Sequence, residues 1–246
     1  MKSIRINDNT KGKLCCSASI DITVGCNNMC IGCYGLKASR MGSKFFSENP
    51  EIKEYNDEVF RKDCKKYLRK GIKFVRLGKF SDPGYAAVRG RTLQILQTAT
   101  SEGIRVVLIS KSIVFDKDIA AEIRKGDHIL HISLGMISNA CPDTDRLNVY
   151  RRYKQECHYN VFLRITADVT QEMPEKYRGL KDVILTPMRY GSKKDLESYG
   201  ANIDKFEWLG GYYRPKALNK SWIPYMCTIC GELDGKTYCA NCGVVV

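Results

Sequence analysis

The sequence predicts an α/β chain, a partial (β/α)6 barrel followed by a small C-terminal cysteine-rich hairpin. Three observations carry that prediction. Apolar runs of strand length alternate with amphipathic stretches along residues 19–187, the pattern of a parallel sheet with crossover helices. Six such units are too few to close an eight-stranded barrel, so the sheet should stay open. Two Cys-x2-Cys-Gly knuckles near the C-terminal end mark a small module held by metal rather than by a large core.

The elements follow in order. The strand candidates are residues 19–24, 73–78, 104–110, 128–135, 160–167 and 182–187. Between them, residues 55–69 repeat apolar positions at Val59, Phe60, Cys64, Tyr67 and Leu68, the spacing of one helix face. Residues 86–100 do the same with Leu93, Ile95, Leu96 and Ala99, and residues 116–124 and 145–157 read similarly. Gly71, Gly103 and Gly126 stand where these helices should end, a position that favours left-handed backbone. The barrel is expected over residues 1–200, a closing segment over 201–224 and the cysteine module over 225–246.

Strand alternation sorts the side chains. Leu130, Ile132 and Leu134 share one face of their strand and His131, Ser133 and Gly135 the other; Val161, Leu163 and Ile165 oppose Phe162, Arg164 and Thr166. The apolar faces should meet the helices, which leaves His131, Ser133, Arg164 and Thr166 for the barrel interior. Residues there can bind a cofactor or an anionic substrate. A structural hydrogen-bond network is the alternative for each, and the preferred reading for His131.

Composition narrows the class. No apolar run approaches the roughly 18–20 residues that span a bilayer, and the N-terminus lacks the apolar core of a secretory signal. A cytoplasmic protein without membrane contact is expected. Twelve cysteines in such a chain point to metal chemistry. The net charge of +13 favours a polyanionic partner, usually nucleic acid, against the alternative of a solvated basic surface.

Cys26, Cys30 and Cys33 follow the first strand directly, at the carboxyl end where α/β proteins gather their chemistry. Three thiolates in one loop can each take one iron of a [4Fe–4S] cube and leave the fourth iron open to an exogenous ligand. A zinc ion borrowing a distant fourth ligand is the alternative. The Cys-x3-Cys-x2-Cys spacing after the first strand resembles the cluster motif of the radical S-adenosylmethionine (radical SAM) enzymes, with Gly32 where many members carry an aromatic residue. Ser81-Asp82-Pro83, Ser110-Lys111-Ser112 and Ile132-Ser133, in that order, resemble the branch that includes spore photoproduct lyase. The resemblance covers roughly residues 15–190. It implies a [4Fe–4S] cluster, S-adenosylmethionine as cosubstrate and a reductant such as flavodoxin or ferredoxin. By the same resemblance, the Ser81–Asp82 corner faces the methionyl amino group, Lys111 pairs with its carboxylate and Ser133 bonds the ribose, with Arg164 in the cofactor-binding interior. A nucleic acid base or nucleotide is the leading substrate class. A peptide or small metabolite is the alternative, and a non-enzymatic zinc-ribbon nucleic-acid-binding protein the third reading.

Cys227, Cys230, Cys239 and Cys242 form the second group, with Asp234-Gly235 between the knuckles as a hairpin signal. A closed tetrathiolate on such a zinc-ribbon-like hairpin suits structural zinc (Zn2+), and a second iron–sulfur cluster is the rival. Cys64 and Cys157 fall on apolar helix stripes and are expected in the core. Cys141 is weighed as a hydrogen-atom donor near the site, and Cys15 and Cys16 receive no role.

Overall fold

A computed structural model describes residues 2–8, 17–28, 30, 33, 46–135 and 143–238. The chain enters through β1 (Asn7–Asp8) and β2 (Ala18–Ile20), and β3 (Thr23–Val24) pairs with β4 (Glu51–Ile52) as a short antiparallel ribbon. Strands and helices then alternate: α1 (Asp57–Arg69), β5 (Phe74–Leu77), α2 (Arg89–Glu102), β6 (Arg105–Ser110), α3 (Lys117–Lys125), β7 (Ile129–Gly135), α4 (Asp143–Cys157), β8 (Val161–Ala167) and β9 (Val183–Pro187). Seven strands form one sheet in the order β1-β2-β5-β6-β7-β8-β9, parallel from β2 to β9 with β1 antiparallel at the edge. This is the open α/β sheet that the alternation predicts.

Five of the six expected strands lie within their predicted ranges. The first is divided at Asp21, whose carboxylate accepts hydrogen bonds from the Phe80 N–H (2.6 Å) and the Ser81 hydroxyl (3.1 Å). The Ser81 hydroxyl in turn accepts from the Ile22 N–H (3.1 Å), so that donor is not used by a neighbouring strand. Helix α1 forms where its signals agree: the Asn56 side chain accepts from the Val59 N–H, Asp57 and Glu58 occupy the first turn, and Lys66 and Arg69 the last. It buries Phe60, Cys64 and Tyr67 against the sheet. Gly103 ends α2 with φ of 74°, the left-handed residue the sequence suggests. Gly126 does not take that role; its φ is −94°, and Asp127 carries the positive φ instead. There glycine is needed for space, since a Cβ would strike Thr100 Oγ1 and His128 Nε2.

The largest departure from six strand–helix units lies between β8 and β9. That crossover holds only a 3-10 turn, Glu175–Tyr177. The vacant outer face of the sheet is covered from elsewhere in the chain: Trp222 and Tyr225, on the 3-10 segment Lys220–Thr228, pack with Leu163, Ile165 and Leu185. Burying an indole removes roughly 200 Å² from water, an upper-bound stabilisation of about 5 kcal/mol. Leu185 and Ile229 then form a parallel bridge, and the Cys230 N–H donates to the Leu185 carbonyl (2.7 Å), extending the sheet beyond β9.

The closing segment is more ordered than its sequence suggests. It contains a hairpin of β10 (Phe206–Leu209) and β11 (Tyr212–Pro215), and just before it, within the range expected for the barrel, α5 spans Lys193–Ser198. β12 (Gly231–Leu233) and β13 (Lys236–Tyr238) form the last hairpin, with Asp234 and Gly235 both at positive φ (52° and 65°), as a type I′ turn requires. No helix among the described residues is long and apolar enough to cross a membrane.

Candidate functional site

The site is built where the parallel strands end. Beyond β2, Gly25 turns the chain with φ of 86° into Cys26. Cys26 bridges Phe46, its carbonyl accepts from the Ser47 N–H (3.1 Å), and the Cys33 N–H donates to the Cys30 carbonyl (3.2 Å). All three thiols are half-buried, and Gly32 and Tyr34 lie outside the described residues. Burial pushes the Cys26 thiol up to about 12, the Asp82 carboxylate adds to the rise, and the Asn28 backbone N–H works against it. Such a thiol holds its proton at neutral pH and ligates only when a metal replaces that proton.

Asp82, 5 % exposed, organises the loops around these cysteines. One carboxylate oxygen accepts from the Gly84 N–H (2.8 Å) and the Ser110 hydroxyl. The other accepts from the Asn28 side-chain amide, the Lys111 N–H (2.8 Å) and the Ser112 N–H (3.2 Å). Asn28 lies inside the cysteine loop, and its side-chain oxygen accepts from the Ser112 hydroxyl (2.6 Å). One carboxylate thus ties the cysteine loop to the ends of β5 and β6. Ser81 is placed similarly: its hydroxyl donates to Asp21 and accepts from the Ile22 N–H (3.1 Å). Gly84 permits the close approach, since a Cβ there would collide with Ser110 Oγ and the Ile113 backbone.

Lys111 brings a positive charge to this end. Its ammonium donates to the Gly135 carbonyl (2.9 Å) and hydrogen-bonds Cys30. Burial lowers its pKa, Cys30 opposes that fall, and Arg146 adds to it. Arg146 is buried beside Asp143, whose carboxylate also accepts from Lys176 (2.8 Å) and the Tyr177 hydroxyl (2.8 Å). Despite burial, these partners hold the Asp143 carboxyl well below the usual range.

The inner face of the sheet carries a polar row. Ser133 stands opposite Arg164 in the β7–β8 register. Arg164 donates to His131 Nδ1 (3.2 Å) and the Thr186 hydroxyl (2.8 Å), and its third nitrogen reaches Cys230 Sγ (3.9 Å). His131 is fully buried and edge-on to Phe162, so it serves this network as an acceptor. Cys26, Cys30, Cys33, Ser81, Asp82 and Lys111 therefore gather at one end of the sheet, with Ser133 and Arg164 on the adjoining inner face.

Asn28 and Arg146 belong to this assembly and were not singled out from sequence, and Ser112 was named there only as part of a motif, without a role. Asn28 was detectable as a polar side chain between two cysteines, and Arg146 as the i+3 partner of Asp143. Cys227 is exposed and Cys230 buried, while Cys239 and Cys242 lie outside the described residues, as do Cys15, Cys16 and Cys141. Among the described residues, no set of three or more His, Cys, Asp or Glu is grouped around a single metal position. A cleft of about 480 Å³, lined by Phe162, Leu180, Ile184, Tyr225 and Cys227, opens at the amino ends of β8 and β9, away from the cysteine loop.

The fold is similar in part to that of known proteins. Two structures of the radical S-adenosylmethionine methyltransferase TsrM from Kitasatospora setae align with it, one with tryptophan substrate and the analogue aza-SAM, the other with cobalamin and a [4Fe–4S] cluster. Each gives 10% identity and a TM-score of 0.48 over 69% of this chain. The chain spans about a third of their length, 35% and 33%. No family model and no curated protein matches the sequence.

Proposed function

We propose that this chain is a radical SAM enzyme that cleaves S-adenosylmethionine reductively and acts on a nucleic acid base or nucleotide, in repair or modification. The observation that carries the reading is the set of three half-buried cysteines on one loop at the carboxyl end of the first parallel strand, with the Lys111 ammonium against Cys30. The donor set fits a [4Fe–4S] cluster: three thiols, a backbone N–H directed at the Cys26 sulfur and a neighbouring cation to offset thiolate charge. Bound there, the cluster would supply the electron that breaks the cosubstrate's carbon–sulfur bond, yielding the 5′-deoxyadenosyl radical that takes hydrogen from substrate.

The chain's own residues bind and orient. In this reading Lys111 would pair with the methionyl carboxylate, exchanging its Gly135 carbonyl contact for a charged one. Ser133 would offer its hydroxyl to ribose, and Arg164, held by His131, Thr186 and Cys230, would give the same face a positive charge toward cofactor or an anionic substrate. Ser81 and Asp82 hold the corner whose backbone would face the amino group. Cys227, Cys230, Cys239 and Cys242 form a structural zinc site in this reading, supported by the β12–β13 hairpin between the knuckles and by the Arg164 donor to the Cys230 sulfur. The substrate class rests on the net charge of +13.

Anaerobic reconstitution tests the reading. Wild-type protein should hold about four irons at this loop and form 5′-deoxyadenosine with dithionite and S-adenosylmethionine. Cys30→Ala should lose most of that iron and form none. A wild-type loop that binds only zinc would overturn the proposal.

A further inference from the structure

The β10–β11 hairpin bears an aromatic surface that the proposed chemistry does not use. Trp208 is 55 % exposed and Leu209 is exposed beside it, at the tip formed by Gly210 and Gly211. Trp208 lies directly opposite Tyr213 in the ladder, ring centroids 4.9 Å apart at 67°, so the indole is fixed by a cross-strand partner while much of it faces solvent. An indole fixed in this way leaves more than half of its surface in water and has little freedom to lose on binding.

Its position is tied to the site. Tyr190, three residues beyond the end of β9, pairs with Tyr213 through hydrogen bonds of 3.0 and 2.7 Å. Tyr190 and Phe206 pack together beneath the hairpin. The hairpin is thereby anchored at the carboxyl end of β9, the same end of the sheet at which the cysteine loop leaves β2. Charge accompanies the rings. Residues 189–220 hold seven lysines and arginines against four aspartates and glutamates. Lys205 and Lys216, exposed at the base of the hairpin, donate to the Thr170 and Asp204 carbonyls. Neutral acceptors leave their charges available to phosphate.

From this juxtaposition we infer that the β10–β11 hairpin is a stacking platform for single-stranded nucleic acid, with Trp208 taking a base near the tip and Lys205 and Lys216, opposite each other at the base of the hairpin, meeting phosphates farther along the strand. Alternating stacking and phosphate contacts are the general solution for single strands, because every base has a π-face and every linkage a charge. The inference deepens the proposed function: it rests on a nucleic acid substrate and makes that substrate a polynucleotide rather than a free nucleotide.

The test uses the reconstituted full chain and a fluorescein-labelled 20-nucleotide single-stranded RNA and its DNA counterpart. Only two tryptophans are present and Trp222 is fully buried, so quenching of intrinsic emission by unlabelled strand reports on Trp208. Trp208→Ala should weaken anisotropy-detected binding roughly five- to a hundredfold, the span of base–aromatic stacking, and Trp208→Phe should recover part of it. Lys205→Gln combined with Lys216→Gln should flatten the dependence of log affinity on log salt by about one to two. Tyr159→Ala, at an aromatic 88 % exposed beside the amino end of β8, should bind as wild type. Unchanged affinity in Trp208→Ala, or emission that no strand quenches, would overturn the inference. Circular dichroism of each variant separates loss of fold from loss of contact. Binding is measured without cosubstrate or reductant, whereas 5′-deoxyadenosine formation by wild type without oligonucleotide reports on the enzyme reading alone.

Discussion

Replacing Asp82 with Asn probes how the cysteine loop is held. The carboxylate accepts from Gly84, Lys111 and Ser112 N–H groups, the Ser110 hydroxyl and the Asn28 amide. The amide is nearly isosteric, but one of its two ends is a donor. Turned toward Gly84 and Ser110 it meets the Gly84 N–H, with only the hydroxyl able to reverse its role. Turned the other way it meets three donors. Either orientation sets donor against donor in a buried place and removes the charge that strengthens the remaining bonds. A charge-assisted hydrogen bond is worth about 1.5–3 kcal/mol and a stranded buried donor costs about 1–3 kcal/mol. These contributions share partners and do not add, so a loss of about 2–4 kcal/mol is expected, a large part of a typical domain's stability. Urea denaturation of the metal-free protein reads this as a lower midpoint at unchanged slope. Iron retained after reconstitution should fall too, since Asn28 loses its anchor within the cluster loop. Stability within about 0.5 kcal/mol of wild type together with full iron content would refute the reasoning, because a surface carboxylate would behave that way.

Lys111→Ala should weaken S-adenosylmethionine binding about ten- to a hundredfold in calorimetry, with a smaller loss of iron than in Cys30→Ala. His128 adds a pH dependence. It is buried, its Nδ1 accepts from the Val106 N–H (3.1 Å) and its Nε2 faces the Leu96 carbonyl (3.1 Å), which fixes the neutral ring. Burial lowers its pKa below the ordinary 6.5, so the unfolded chain takes up the proton first. Its stabilisation is complete above about pH 6.5 and declines as pH falls toward the folded value, by at most about 1.4 kcal/mol per pH unit. Denaturation of wild type and His128→Gln at pH 5, 6 and 7 should show a smaller decline in the variant. At the C-terminal hairpin, elemental analysis should find about one zinc per chain that survives air oxidation and is lost in Cys239→Ser. Roughly eight irons and no zinc would identify a second cluster instead.

The parts of the fold legible in sequence were those set by local periodicity. The β7 and β8 alternation sends Leu130, Ile132, Leu163 and Ile165 to the helices and His131, Ser133 and Arg164 to the inner face, because side chains on a pleated strand have no other choice. The Asp-Gly turn was legible for the same reason. What escaped depends on distant partners. The first strand breaks at Asp21, where Phe80 and Ser81, just beyond the neighbouring β5, bond the Asp21 carboxylate and Ser81 takes the Ile22 N–H. The absent helix between β8 and β9 is tolerated only because Trp222 arrives from more than fifty positions along the chain to cover Leu163. The site divides similarly. The cysteine spacing was visible, but the five donors that Asp82 gathers from the cysteine loop, from Gly84 and from residues 110–112 were not, because they meet only in the fold.

The pairing of Ile229 and Cys230 beside β9 bears on how the chain reaches its native state. An open parallel sheet has two raw borders, and β1 covers one of them antiparallel to β2. The other is covered by residues that follow β9 by some forty positions. While the polypeptide emerges from the ribosome, β9 stands with unpaired amides and carbonyls, and Leu163, Ile165 and Leu185 lack the Trp222 that later shields them. Such a border is a template for pairing with another nascent chain. Protection arrives only once residues 220–233 have been synthesised and have docked, so truncation before Trp222 should yield aggregates from a sheet whose strands are all present.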